Sequence, residues 1–341
     1  MSQVQSKIKQ AVRLHQEGLI QEAIELYLSI LPSQKQNALL LFLLGTAYAQ
    51  TGKWEKAVIA LIKSIAIDSR NAQAHSNLGN ALRGSNRLAE ALEHFDRALK
   101  INPNLAEAYS NRGNLLRDLS RFDEELESYD HALSINPYLA GTYSDRGLVL
   151  QRMGRLNDAL ESYESALRIN PNFPEAYSNR GNVLCELRRF EEALESYDHA
   201  LRIKPNYFEA FSNRGSALQD LRRLNEALES YDHALRINPD YAPANWNKSL
   251  LLILIGDFRQ GWEMYEWRWL DQQKDSARKC DNPLHPELLS PNTSTVFIYS
   301  EQGLGDTIQF SRYVKKLADY YSRVVFEVPP PLQSLMSSLD P

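Results

Sequence analysis

Apolar residues in the middle of the chain fall along one side of a helix. Ala91, Leu92, Phe95, Ala98 and Leu99 stand at i, i+1, i+4, i+7 and i+8, the spacing of an amphipathic helix with one buried face. The stripe then returns every 34 residues. Phe95, Tyr129, Tyr163, Tyr197 and Tyr231 share its phase, and so do Ala98, Ala132, Ala166, Ala200 and Ala234. Gly79, Gly113, Gly147, Gly181 and Gly215 keep the same step in the preceding polar–apolar run. A glycine held at one phase predicts a place where a facing helix comes close. Pro103, Pro137, Pro171, Pro205 and Pro239 each follow Ile-Asn or Ile-Lys and are predicted to stop the second helix of a pair.

A helical pair of this length resembles the tetratricopeptide unit. The phase divides 4–275 into eight units: 4–37, 38–71, 72–105, 106–139, 140–173, 174–207, 208–241 and 242–275. The expected fold is an all-α right-handed superhelical solenoid, followed by a connector over 276–294 and a short, incomplete α/β segment over 295–341. Unit one is degenerate: Gly18, Ala23 and Tyr27 keep phase with Gly52, Ala57 and Leu61, but Ala11 stands where glycine is expected. Its Pro32 comes early, which predicts an altered turn. Unit two has Ser69 in place of proline, and terminal repeats, with one unpaired face, are expected to be atypical. The apolar run Leu39–Leu44 reads as a buried helix, with a contact for a partner or a second subunit as the alternative. In unit eight Ser249 replaces the glycine and Gly256-Asp257-Phe258 restores the turn. Trp262, Tyr265 and Trp269 then recur at i, i+3 and i+7, a face suited to capping or docking the solenoid, or to stacking on bases or sugars.

The first helices carry the candidate binding chemistry. Ser76, Ser110, Ser144, Ser178 and Ser212 share one position, and Asn77, Asn111, Asp145, Asn179, Asn213 and Asn247 the next. Asn80, Asn114 and Asn182 follow one turn later on the same face. Asn is an indifferent helix former, so its recurrence asks for a reason. An amide both donates and accepts, and a row of them can hold an extended peptide backbone without reading its sequence; polar bonding between helices of the solenoid is the alternative. Arg112, Arg146, Arg180 and Arg214 replace the apolar residue seen at Leu44 and Leu78. They read as stems packed in the repeat interface, paired with Glu107, Glu175, Glu209 or Asp145, or else as a basic stripe facing an acidic ligand. His131, His199 and His233 each follow an Asp, but imidazoles a repeat apart cannot converge on a metal. They are expected at solvated edges. Cys185 has no recurrent partner and reads as structural.

Charge narrows the function. Lys plus Arg number 38 against 43 Asp plus Glu, a formal net charge of −5, which argues against a nucleic-acid backbone binder. Cys185 and Cys280 supply neither a disulfide framework nor a zinc cluster. Charge runs through Met1–Gln21, and no apolar run is long enough for a membrane span, so a cytoplasmic protein is expected. No cofactor, metal or catalytic residue is expected.

The C-terminal stretch changes period. Thr295–Ser300 reads as a strand, Glu301–Asp306 as a glycine-bearing loop, Thr307–Tyr320 as a helix, Val324–Val328 as a second strand and Leu332–Leu339 as the start of another helix. Gly303 and Gly305 would present backbone N–H groups to an anion in a complete domain. The order of solenoid, GDFRQGWEMYEWRW and a strand leading to EQGLGDTIQFSRYV resembles bacterial tetratricopeptide proteins fused to a glycosyltransferase-like domain. These are similar to O-linked N-acetylglucosamine transferases, whose solenoids carry an asparagine ladder. The resemblance implies peptide contact at Asn77, Asn111, Asn179, Asn213 and Asn247, with Asp145 as a departure, and places Glu301–Asp306 at a cleft between two lobes. Residues 295–341 fall short of two lobes, so glycosyl transfer is not expected of these residues. The expected function is a protein-interaction scaffold for an extended peptide. The alternatives are the substrate-recognition region of a longer glycosyltransferase and a homo-oligomeric assembly module.

Overall fold

A computed structural model describes residues 3–265, 267, 295–299, 311, 313–314, 316–328 and 330–336. The chain divides into two compact units, Met1–Gln273 and Lys274–Pro341. The first is an all-α superhelical solenoid of antiparallel helix pairs: α1 (Gln3–Gln16) with α2 (Ile20–Ile30), α3 (Ala38–Gln50) with α4 (Trp54–Ile67), α5 (Ala72–Gly84) with α6 (Leu88–Ile101), and α7 (Ala106–Asp118) with α8 (Phe122–Ile135). They continue as α9 (Ala140–Arg152) with α10 (Leu156–Ile169), α11 (Pro174–Glu186) with α12 (Phe190–Ile203), α13 (Phe208–Asp220) with α14 (Leu224–Ile237), and α15 (Ala242–Ile255) with α16 (Phe258–Tyr265).

Two devices set the pairing. The recurrent aromatic ring of each second helix lies on the glycine of its own first helix; a Cβ added at Gly147 would stand 2.7 Å from Tyr163 Cε1, and one at Gly181 2.6 Å from Tyr197 Cε1. The turn between the two helices needs a left-handed residue at one fixed position. Gly18, Gly52, Gly154 and Gly256 supply it freely, whereas Asn86, Ser120, Arg188 and Arg222 hold it at φ of 56–61° against steric cost. Between units, the side chains of Asn102, Asn136, Asn170 and Asn238 each accept from the backbone N–H two residues on, an Asx turn that ends the second helix before the next unit starts. Pro32 sits in a 3₁₀ turn, Leu31–Ser33, the altered turn its early arrival predicts. In the apolar run, Leu40, Leu41 and Leu44 are buried, while Leu39 is exposed.

Unit three departs from its neighbours. It has Leu78 where units four to seven carry arginine, and it joins α5 to α6 by a histidine pair instead: His75 Nδ1 and His94 Nδ1 are 3.0 Å apart. His75 Nε2 faces the Ser69 carbonyl at 3.4 Å. That oxygen only accepts, so His75 Nε2 carries the proton and its Nδ1 accepts from His94. Burial lowers both pKa values. Arg97 lowers that of His75 further; His75 and Arg87 lower that of His94, against Glu93 and Glu90. Folded values below the unfolded one mean that the pair's contribution is complete above about pH 6.5 and is lost as pH falls through the folded values. The variant H75F/H94S is expected to lose less melting temperature than the parent between about pH 7.5 and pH 5. Equal losses would contradict this.

In the second unit, β1 (Thr295–Tyr299) and β2 (Arg323–Glu327) pair in parallel, with Thr295 opposite Arg323 and Tyr299 opposite Glu327. The second strand begins one residue before the expected Val324. A 3₁₀ turn, Pro330–Leu332, leads into α17 (Gln333–Met336), which starts one residue later than the expected helix. The expected connector over 276–294, the loop with Gly303 and Gly305, and Trp269 lie outside the described residues.

Candidate functional site

Successive first helices touch one another, while successive second helices approach less closely. An array packed this way bends with its first helices inside, so their outward stripe lines the concave face. Steps of four and three residues return to nearly the same azimuth on an α-helix, which puts the second, sixth, ninth and thirteenth residues of each first helix on that stripe. The sixth is the ladder position, and Asn80, Asn114 and Asn182 occupy the ninth. The side chains of both rows are half-buried. The serines at the fifth position point elsewhere: Ser76, Ser144, Ser178 and Ser212 are buried between helices.

The ladder residues fall into two states. Some reach back to the ninth position of the preceding unit. Asn77 donates to Thr46 at 2.8 Å, Asn213 to Asn182 at 3.0 Å and Asn247 to Ser216 at 3.3 Å. Asn111, Asn179 and Asn80 make no side-chain hydrogen bond among the described residues. For Asn179 the reason is local: its preceding ninth position is Leu148, which has nothing to offer. Asp145, the one acid of the ladder, meets Arg117 at 3.0 Å.

Arg117 organises the middle of the groove. It also bonds Asn114, Tyr129 and the fully buried Glu125, the last at 3.2 Å. Glu125 stands where Ala91, Ala159, Ala193 and Ala227 stand in other units. Burial pushes the carboxyls of both Glu125 and Asp145 upward, against the pull of Arg117. Two carboxylates share one guanidinium here, so the cluster is net negative when both are ionised.

The arginine stripe is already committed to the protein, and its partners are not those expected. Arg112 bonds Asp96 at 2.8 Å and Ser128 at 2.7 Å; Arg146 bonds Asp130 at 2.6 Å and Ser162 at 2.7 Å; Arg214 bonds Asp198 at 2.8 Å and Ser230 at 2.6 Å. Arg180 bonds Ser196 at 2.7 Å and lies 3.7 Å from Glu164. Each guanidinium therefore clamps the second helix of the preceding unit to that of its own. Glu107, Glu175, Glu209 and Asp145 project from the first helices and cannot serve there. The histidines are also more engaged than solvated edges would be. His131, His199 and His233 stack on Tyr109, Tyr177 and Phe211 with centroids 5.0–5.1 Å apart. Cys185 Sγ lies 3.6 Å from the Tyr197 hydroxyl, and burial raises its pKa. At the end of the solenoid Tyr265 packs on Trp246 with centroids 4.8 Å apart, while Trp262 stays exposed.

Sequence profiles described as tetratricopeptide or TPR repeat match 45–84, 72–105, 94–127, 152–187, 181–222 and 208–241. The chain belongs to the tetratricopeptide-repeat family, whose members generally mediate protein–protein interaction. Among solved structures, Pseudomonas aeruginosa PilF is 21% identical with a TM-score of 0.57, covering 64% of this chain and 99% of that one. A chain of the Cut9–Hcn1 hetero-tetramer of APC/C is 15% identical with a TM-score of 0.55, covering 76% of this chain and 51% of that one. YrrB, described as a TPR protein with an unusual peptide-binding site, is 28% identical with a TM-score of 0.49, covering 55% of this chain and 97% of that one. PilF and Cut9–Hcn1 establish a shared fold. No curated protein sequence gives a significant match. Among the described residues, no helix is long and apolar enough to cross a membrane.

Proposed function

We propose that the solenoid is a protein-interaction scaffold that holds an extended peptide along its first helices. The observation that carries this reading is the split in the ladder. Asn77, Asn213 and Asn247 each donate a side-chain N–H that joins repeats, but Asn111 and Asn179, on the same stripe, have no side-chain partner among the described residues. A half-buried amide without a partner is available to a ligand backbone, and each such bond adds on the order of 1 kcal/mol net. Family membership supports the class of function, and the asparagine ladder, resembling that of O-linked N-acetylglucosamine transferases, supports the mode. The substrate-recognition role in a longer glycosyltransferase would use the same groove and differs only in what acts on the bound segment.

The two states of the ladder separate binding from stability. The variant N111A/N179A is expected to keep its melting temperature, since Ala is the better helix former, and to weaken capture of an extended peptide roughly tenfold, about 1.4 kcal/mol. N213A is expected to lose stability instead, by up to about 1 kcal/mol, because the bond that joins units six and seven through the Asn182 carbonyl is lost, leaving that oxygen only its Tyr197 donor. Calorimetry and peptide titration on both variants check this. If N111A/N179A melts below N213A while binding is untouched, the asparagines hold repeats and not peptides.

A further inference from the structure

The charges beside the amides define what the groove can take. On unit four the stripe reads Glu107, Asn111, Asn114, Asp118; on unit six Glu175, Asn179, Asn182, Glu186; on unit seven Glu209, Asn213, Ser216, Asp220. In these three units hydrogen-bonding groups occupy the middle of the first helix, and a carboxylate stands at either end. Arg152 is the one cation at these four positions in units three to eight. The neighbouring arginines are engaged, Arg83 with Asp118 at 2.6 Å and Arg117 with Glu125 and Asp145. Glu175 meets Lys204 at 3.4 Å, whereas Glu107, Glu209 and Asp220 make no ion pair among the described residues.

Two buried groups beneath the groove are left without partners among the described residues. The hydroxyls of Tyr129 and Tyr197 donate to the amide oxygens of Asn114 and Asn182, and that of Tyr231 meets Ser216 at 3.2 Å. All three end at the ninth position of the stripe. In unit five that position is Leu148, and the Tyr163 hydroxyl, fully buried, has no partner among the described residues. Glu125, fully buried, likewise leaves Oε2 unpartnered while its other oxygen holds Arg117. Both atoms are closed to solvent and lie beneath the middle of the groove, whose surface there carries the half-buried Asp145.

Resting on the groove reading above, we infer that its occupant is a cationic extended segment, a lysine- or arginine-bearing stretch of a partner protein. The layout fits such a chain. The second and thirteenth residues of a helix are about 16 Å apart, so a backbone over the central amides runs about 8 Å from either carboxylate row. Successive side chains of an extended strand point to opposite sides. Alternate residues therefore aim at alternate rows, within joint reach of a lysine or arginine head and a carboxylate. The same acids repel phosphate, which excludes a nucleic-acid backbone from this face.

The test is fluorescence anisotropy with three peptides of about twelve residues, roughly 40 Å when extended, in which Ala alternates with Lys, Ser or Glu. The Lys peptide is expected to bind at least tenfold tighter than the Ser peptide, less tightly as salt rises, and the Glu peptide not at all. Reversing the groove charge in E175K/E186K/E209K/D220K is expected to invert the order with helicity unchanged. Reversing as many exposed acids on the second helices, in E93K/E127K/E161K/E195K, is expected to leave it. If the Ser peptide binds as tightly as the Lys peptide and still loses affinity on N111A/N179A, the cationic occupant is wrong and the groove stands. If the Lys peptide binds but responds to neither groove variant, or if no peptide binds, both readings fall.

Discussion

Replacing Tyr197 by Ala is expected to lower the stability of the solenoid by about 3–5 kcal/mol, the largest single effect foreseen for this chain. The ring is 1% exposed and lies on Gly181, which has no side chain to move into the space left behind. In a repeat array each unit is stabilised through its neighbours, so the cavity weakens the contacts of unit six on both sides. The hydroxyl is a separate matter. Y197F loses the bond to Asn182, 2.8 Å long, and the weaker contact with Cys185 Sγ at 3.6 Å, and is expected to cost about 1 kcal/mol. Y163F removes a buried hydroxyl that has no partner, and is expected to be neutral or to stabilise by up to about 1 kcal/mol. Urea unfolding of the three variants checks the order. Equal costs for Y163F and Y197F would contradict the assignment of the orphan hydroxyl.

Gly147→Ala sets two opposed effects against each other. Helix propensity favours Ala over Gly by about 1 kcal/mol. The added methyl would stand 2.7 Å from two carbons of the Tyr163 ring, which is fully buried and has no room to retreat. Overpacking of this kind costs about 1–3 kcal/mol, so packing wins and the variant is expected to be less stable. Gly141→Ala, in the same helix, is the control. Nothing lies within 4 Å of its added methyl, and it is expected to gain about 0.5–1 kcal/mol. Opposite signs for two identical substitutions in α9 are the expected result. A stabilising Gly147→Ala would mean that the two helices are not held at the distance described.

The helix pairs were legible because four residue types keep one phase, and each marks something physical. The glycine marks the close approach, the aromatic ring fills it, the alanines let helices pack, and the proline sits inside the Asx turn where one forms. The turn inside each pair was less legible. Its left-handed residue is Gly in some units but Asn86, Ser120, Arg188 or Arg222 in others, so no single residue type recurs there to signal it. The ladder was visible as a row. The ninth position of the preceding unit settles part of which amides are free: Thr46, Asn182 and Ser216 accept and Leu148 cannot, whereas Asn80 could accept from Asn111 and does not. The sequence holds that signal, but it becomes readable only once the helices are seen to touch in that register. The arginine partners were misread for a related reason: spacing along one helix does not tell which neighbouring helix lies beside it. In sequence Glu107, Glu175 and Glu209 read only as partners for arginine and Asp118, Glu186 and Asp220 carry no signal of their own, and their common face appears only with the bend of the array.

The most direct test of the account is to watch the amides themselves. Side-chain N–H₂ signals of Asn111 and Asn179, assigned by single substitution in nitrogen-labelled protein, can be followed as the Lys–Ala peptide is added. The account predicts that these two pairs shift first and furthest, that Asn213 moves less because Asn182 already holds it, and that Asn102 and Asn136, in the turns between units, stay still. Shifts confined to the second helices or the turns, with Asn111 and Asn179 unmoved at saturation, would contradict it.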